Sequence, residues 1–135
     1  MTVNTMQLIE FPYFKDTNGV LSVYESFDRV PFEIKRVFTV SAKAFDVRGE
    51  HAHKKCIQLL ICIRGKIKVS CDDGKQVSNY TLAGESAGLL VPPGVWAKEE
   101  YLIDDSILMV LCDRGYEQDD YIREYKEFLS WASRC

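Results

Sequence analysis

The chain has 135 residues, enough for one domain built around a single hydrophobic core. It is 47% hydrophobic and 27% charged, with a net charge of −3, the balance of an ordinary globular protein. Its basic residues are scattered rather than clustered, and no apolar run approaches the ~20 residues of a membrane span, so neither a nucleic-acid nor a membrane partner is expected.

The N-terminal stretch MTVNTMQLIEF has no basic region followed by a long apolar one, so no signal peptide is expected. Short β-rich runs then follow, separated by turn residues. VLSVYESF comes after the turn-like DTNG, and IKRVFTVSA is rich in β-branched and aromatic residues. RGEHAHKK leads into CIQLLICI, which ends at RGK. KIKVSC ends at DDGK, where an Asp-Gly pair marks a hairpin because glycine reaches positive φ cheaply. QVSNYTL, GLLV before PPG, and SILMVLC complete the series. Turns at this spacing, without a helical pattern between them, point to an all-β sandwich or barrel. In DDYIREYKEFLSWASR the apolar residues fall at Tyr121, Ile122, Tyr125, Phe128, Leu129 and Ala132, the spacing of one helix face. Asp119 and Asp120 suit the positive end of its dipole. One amphipathic helix is therefore expected over about 119–133, packed outside a β-structure over about 6–113, all within a single domain 1–135.

The five cysteines, Cys56, Cys62, Cys71, Cys112 and Cys135, form no C-x-x-C pair. Four lie in apolar runs, where cysteine behaves as a small hydrophobe. A reduced, cytoplasmic protein is the natural expectation.

His51 and His53 are the only histidines. Two positions apart on a strand, they share one face, which suits a shared metal ion, an acid/base pair acting on one ligand, or two solvated polar groups. The spacing from this pair through Gln58 to Gly65, with PPG at 92–94, resembles the two motifs of the cupin superfamily, small double-stranded β-helix (jelly-roll) barrels. The usual carboxylate ligand position holds Gln58, and the usual third histidine position holds Ala97. A catalytic metal normally keeps about three protein ligands, so the resemblance implies a cupin barrel without a metal. Two imidazoles of ordinary pKa near 6.5 are then proton carriers.

RGEHAHKK, DDGK, VPPGVW and YEQDDYIREYKEFL together resemble the sugar 3,4-ketoisomerases, cupins without metal or other cofactor, over nearly the whole chain. The resemblance implies transfer of the keto group of dTDP-4-keto-6-deoxyglucose from C4 to C3 through an enediol, on the way to 3-amino-3,6-dideoxy sugars of surface polysaccharide. It implies His53 as base and His51 as its partner, with Gln58 orienting the sugar. Arg48 and Arg36 are then candidates for the pyrophosphate, since a guanidinium forks onto phosphate oxygens; a surface ion pair is the other role open to each. Trp96 would line the pocket mouth or pack in the core. Asn18 stands where the family has arginine, Thr39 where a tyrosine is expected, Glu50 where glycine usually precedes the histidines, and Ala97 where histidine or arginine follows. These departures leave open the group that reprotonates C4. The resemblance further implies a homodimer with exchanged N-terminal strands. The other functions left open are a cupin that binds a sugar nucleotide without turnover and a 3,5-epimerase-like activity.

Overall fold

The computed structural model describes residues 5–134, so Cys135 lies outside the described residues. Ten strands run in chain order: β1 Gln7–Glu10, β2 Tyr13–Asp16, β3 Gly19–Ser22, β4 Arg36–Ala42, β5 Val47–His53, β6 Gln58–Asp72, β7 Val77–Val91, β8 Trp96–Tyr101, β9 Ser106–Cys112 and β10 Tyr121–Ile122. One helix, α1 Tyr125–Ala132, closes the described chain. The all-β architecture with a C-terminal helix agrees with the sequence. Among the described residues no helix is long and apolar enough to cross a membrane.

The fifteen-residue strands β6 and β7 organise everything else. They form a hairpin around Asp73–Gln76, where the Asp73 carboxylate accepts the Lys75 and Gln76 N–H groups. This is the hairpin expected at DDGK. Along β6, residues up to Arg64 pair with β9, and residues from Ile67 pair with β8. The strand thus passes from one layer into the other. The crossing sits at Gly65, whose φ of 90° favours glycine and whose Cβ, if present, would collide with Ser106. The irregularity also changes side-chain phase: Leu60 and Cys62 face the interior before it, Ile67, Val69 and Cys71 after it.

One layer is β1-β7-β6-β9-β4 and the other is β7-β6-β8-β5-β10, joined through β6 and β7 as one eight-stranded sheet beside the separate β2–β3 hairpin. The hydrogen-bonded pairing does not return on itself, so the barrel is not closed, and β1, β4 and β10 are its ends. The main core fills the space between the layers, with Leu60, Val69, Leu89, Leu108 and Val110 among its buried residues. The first half of β6 is buried on both faces, because Phe11, Val30 and Phe32 cover Leu59 and Ile61 from outside. That is why CIQLLICI reads as a continuous apolar run rather than an alternation.

The helical expectation over about 119–133 is corrected. Gln118–Asp120 form a 3₁₀ turn, Tyr121 and Ile122 pair with His53 and Ala52, and the α-helix begins only at Tyr125. The apolar spacing held because Ile122 and Phe128 do share one buried cluster with Ala52. Ile122 reaches it from a strand. Asp120 has a partner in the interior and cannot serve a helix terminus.

Candidate active site

Strand β5 carries both histidines toward the interior, with their rings edge to face and centroids 5.1 Å apart. The backbone before them is unusual: Gly49 and Glu50 have φ of 89° and 56°, and the pairing with β8 shifts between Gly49 and His51. Glu50 thereby turns to solvent. Strand β10 lies against the end of β5 and brings Tyr121 over both imidazoles, at ring distances of 4.3 Å to His53 and 5.1 Å to His51.

Asp120 organises this corner. Its carboxylate accepts His53 Nδ1 at 2.8 Å, the Lys55 N–H at 2.6 Å and the Cys56 N–H at 3.3 Å. Burial alone would raise its pKa, but these donors outweigh it and hold the group below the ordinary carboxylate value. An ionised carboxylate only accepts, so His53 carries its proton on Nδ1 and keeps a lone pair at Nε2. Nε2 is buried and has no partner among the described residues. Burial lowers the His53 pKa, and Asp120 opposes that shift. Among the described residues no carboxylate is hydrogen-bonded to His51. Burial first, then His53, lower its pKa to about 4, against a hydrogen bond with the Gly49 backbone. Both rings are therefore neutral near pH 7.

A cleft of about 250 Å³ opens in front of His51, lined among others by Arg36, Phe38, Arg48, Gln58 and Glu99. Behind it a void of about 10 Å³ is lined by His51, His53, Gln58 and Glu99. Arg36 is held by stacking: its guanidinium lies 4.7 Å from the Phe38 ring and 5.1 Å from the Tyr116 ring, and donates to the Tyr121 hydroxyl at 3.3 Å. Arg123 covers the other face of the group, 4.3 Å from the Tyr121 ring. Gln58 is buried and directs its Nε2 at Cys112 Sγ, 3.7 Å away.

The fold thus brings together His51, His53, Gln58, Arg36 and Arg48, and leaves three sequence candidates outside. Trp96 packs on Tyr125 and Phe128 in a separate groove on the helix side, so its place at the pocket mouth is corrected. Thr39 is exposed on the outer face of β4, because strand alternation turns Arg36, Phe38 and Val40 inward instead. Asn18 sits at the tip of the β2–β3 hairpin, away from the cleft of its own chain. The residues missed from sequence are Asp120, Tyr121, Arg123 and Glu99. A two-residue strand gives almost no periodicity to find.

His53, Cys56 and Asp120 offer ligand atoms within 4.8 Å of one another. A cation there would compete with three N–H donors for the Asp120 carboxylate. It would also have to ionise Cys56, whose thiol is pushed well up by its hydrogen bond with Cys112 and by burial. The donor set fits an acid/base dyad better than a metal.

Two β-layers around a cavity that holds two imidazoles, one of them backed by a carboxylate, define a small cupin-like protein. The family model described as "FdtA: WxcM-like, C-terminal" matches residues 4–133, and the chain belongs to this family. It is 36% identical over 129 residues to the TDP-4-oxo-6-deoxy-alpha-D-glucose-3,4-oxoisomerase of Aneurinibacillus thermoaerophilus, covering 95% of this chain and 93% of that protein. The crystal structure of QdtA, a sugar 3,4-ketoisomerase from Thermoanaerobacterium thermosaccharolyticum in complex with TDP, is similar with a TM-score of 0.92 at 32% identity, covering 96% of this chain and 95% of that one. A 3,4-ketoisomerase from Helicobacter canadensis is similar with a TM-score of 0.91 at 30% identity, covering 95% and 97%.

Proposed function

We propose that the chain is a dTDP-sugar 3,4-ketoisomerase. It moves the keto group of dTDP-4-keto-6-deoxy-D-glucose from C4 to C3, in the cytoplasm, on the way to 3-amino-3,6-dideoxy sugars of surface polysaccharide. The observation that carries this reading is the His53–Asp120 pair, in which the carboxylate fixes the tautomer and leaves Nε2 free. The neighbouring carbonyl acidifies the C3 proton, so a neutral imidazole suffices as base, and Asp120 stabilises the imidazolium that results. His51 lies between His53 and the open cleft and suits proton exchange between the two sugar oxygens. Gln58 gives its amide N–H to Cys112, which leaves its oxygen for a sugar hydroxyl. Arg36 and Arg48, from two strands, flank the same cleft and suit the pyrophosphate.

Incubation with this substrate in deuterated water tests the assignment. The expected result is a 3-keto product carrying deuterium at C4, with deuterium at C3 of substrate that has been deprotonated and re-formed. A bound but unchanged sugar nucleotide would make the chain a binding module. Deuterium at C5 would make it an epimerase.

A homodimer belongs to this proposal. Within one chain β1 pairs with its own β7. The β2–β3 hairpin, however, exposes Tyr13, Phe14, Val20 and Leu21, and a lone two-stranded hairpin is marginal in water. Burial against a second copy gives these side chains a partner and accounts for the placement of Asn18. Light scattering should give twice the 15.5 kDa of one chain; the mass of a single chain would refute the dimer.

A further inference from the structure

Glu99 is a mostly buried carboxyl that neither His53 nor Asp120 engages. Strand alternation on β8 sends Ala97, Glu99 and Tyr101 inward, and Glu99 lines both the open cleft and the void behind it. Its side chain lies over Gly49: a Cβ at position 49 would collide with Glu99 Oε2. The missing side chain and the left-handed φ of Gly49 therefore make room for this carboxyl on the wall that also carries His51. Both are on adjacent strands, where Arg48 pairs with Glu99 and His51 with Ala97.

We propose that Glu99 is the second acid/base group of the site, the carboxylic acid that protonates C4 after a histidine has taken the C3 proton. This rests on the ketoisomerase reading above. In the first step the C3–H bond breaks, its proton passes to His53, and its electron pair forms the C3=C4 bond while the C4 carbonyl oxygen becomes an oxyanion. The C3 hydroxyl then gives its proton to that oxyanion by way of His51. The electrons return, the C3 carbonyl forms, and C4 takes the Glu99 proton. Glu99 is left as carboxylate and His53 as imidazolium, and one proton passed between them through solvent restores both.

The protonation states match these roles. Burial raises the Glu99 pKa to about 7, opposed by Arg48, while burial keeps both imidazoles neutral. Opposed shifts of this kind separate an acid from a base within one cavity. The titratable or charged groups facing Glu99 are Arg48, His51 and His53 on β5, Cys56 beyond it, Cys71 on β6 and Tyr101 on its own strand, with Arg36, Tyr121 and Arg123 across the cleft.

The test separates exchange from turnover. In deuterated water Glu99→Gln should still exchange deuterium into C3 of dTDP-4-keto-6-deoxyglucose, because the base is intact. Formation of the 3-keto product should fall about 10²–10⁴-fold. Unchanged product formation would overturn the proposal, and so would loss of both rates in a folded variant that still binds TDP. If the wild-type protein shows neither rate, it is the ketoisomerase reading that fails. If the variant does not fold, the wild-type pH profile decides. Product formation should then fall about tenfold per pH unit above pH 7 while C3 exchange does not, and parallel profiles would overturn the proposal.

Discussion

Asp120→Asn is expected to lower turnover by about 10²–10⁴-fold in a chain that still folds. The carboxylate receives three hydrogen bonds, two of them from backbone N–H groups. An asparagine oxygen can keep one or both of the backbone donors. Its NH₂ group then faces His53 Nδ1, and two donors cannot share one hydrogen bond. The imidazole answers by moving its proton to Nε2, which removes the lone pair from the side where the substrate binds. The predicted defect is thus one of tautomer, and imidazole nitrogen shifts in NMR would show the proton on Nε2. Unchanged turnover would remove Asp120 from the mechanism. Asp120→Ala should be worse, since buried donors left without a partner cost about 1–3 kcal/mol each.

Phe128→Ala is expected to cost about 3–5 kcal/mol, the range for truncating a buried phenylalanine, and to lower Tm by roughly 10 °C or more. Phe128 is fully buried, and with Ile122 and Ala52 it forms a small core separate from the two main ones. Trp96 and Tyr125 pack on it at ring distances of 5.8 and 6.0 Å. This cluster fastens α1 and β10 onto β5, directly behind the strand that carries the histidines. The variant should lose activity at temperatures where its β-structure still melts cooperatively, because β10 positions Tyr121 and follows directly on Asp120. Thermal melts followed alongside activity would check it, and a stability loss below 1 kcal/mol would show that the helix is held by other contacts.

The β-architecture was legible because its signals are local. DDGK specified a hairpin, the β-rich runs specified strands, and His51-x-His53 specified a shared face. The continuous run CIQLLICI read as a strand, and its burial on both sides came only with the structure. What stayed hidden depends on pairing across distance. Asp119 and Asp120 look alike in sequence, and both suit a helix start; only the position of β5 makes Asp120 a buried acceptor. Thr39 and Phe38 differ by one position, and without the register of β4 against β9 the sequence could not say which faces the cleft. Trp96 follows PPG as a pocket residue would, yet α1 claims its ring. Glu99 lies in no motif that the sequence offers, and only the irregular pairing at Gly49 shows it lining the cavity.

The bond from His53 to Asp120 joins residues 67 positions apart. Closing so large a loop is unfavourable until the intervening strands have already found their partners. In the proposed mechanism the proton acceptor is thus oriented only once β5 is in place and the segment around Asp120 has docked on it. During synthesis, a chain that has produced strands β1 to β9 still lacks Asp120, the carboxylate that holds His53. If His53 is the base, a chain that ends before residue 120 is expected to bind a sugar nucleotide without turning it over.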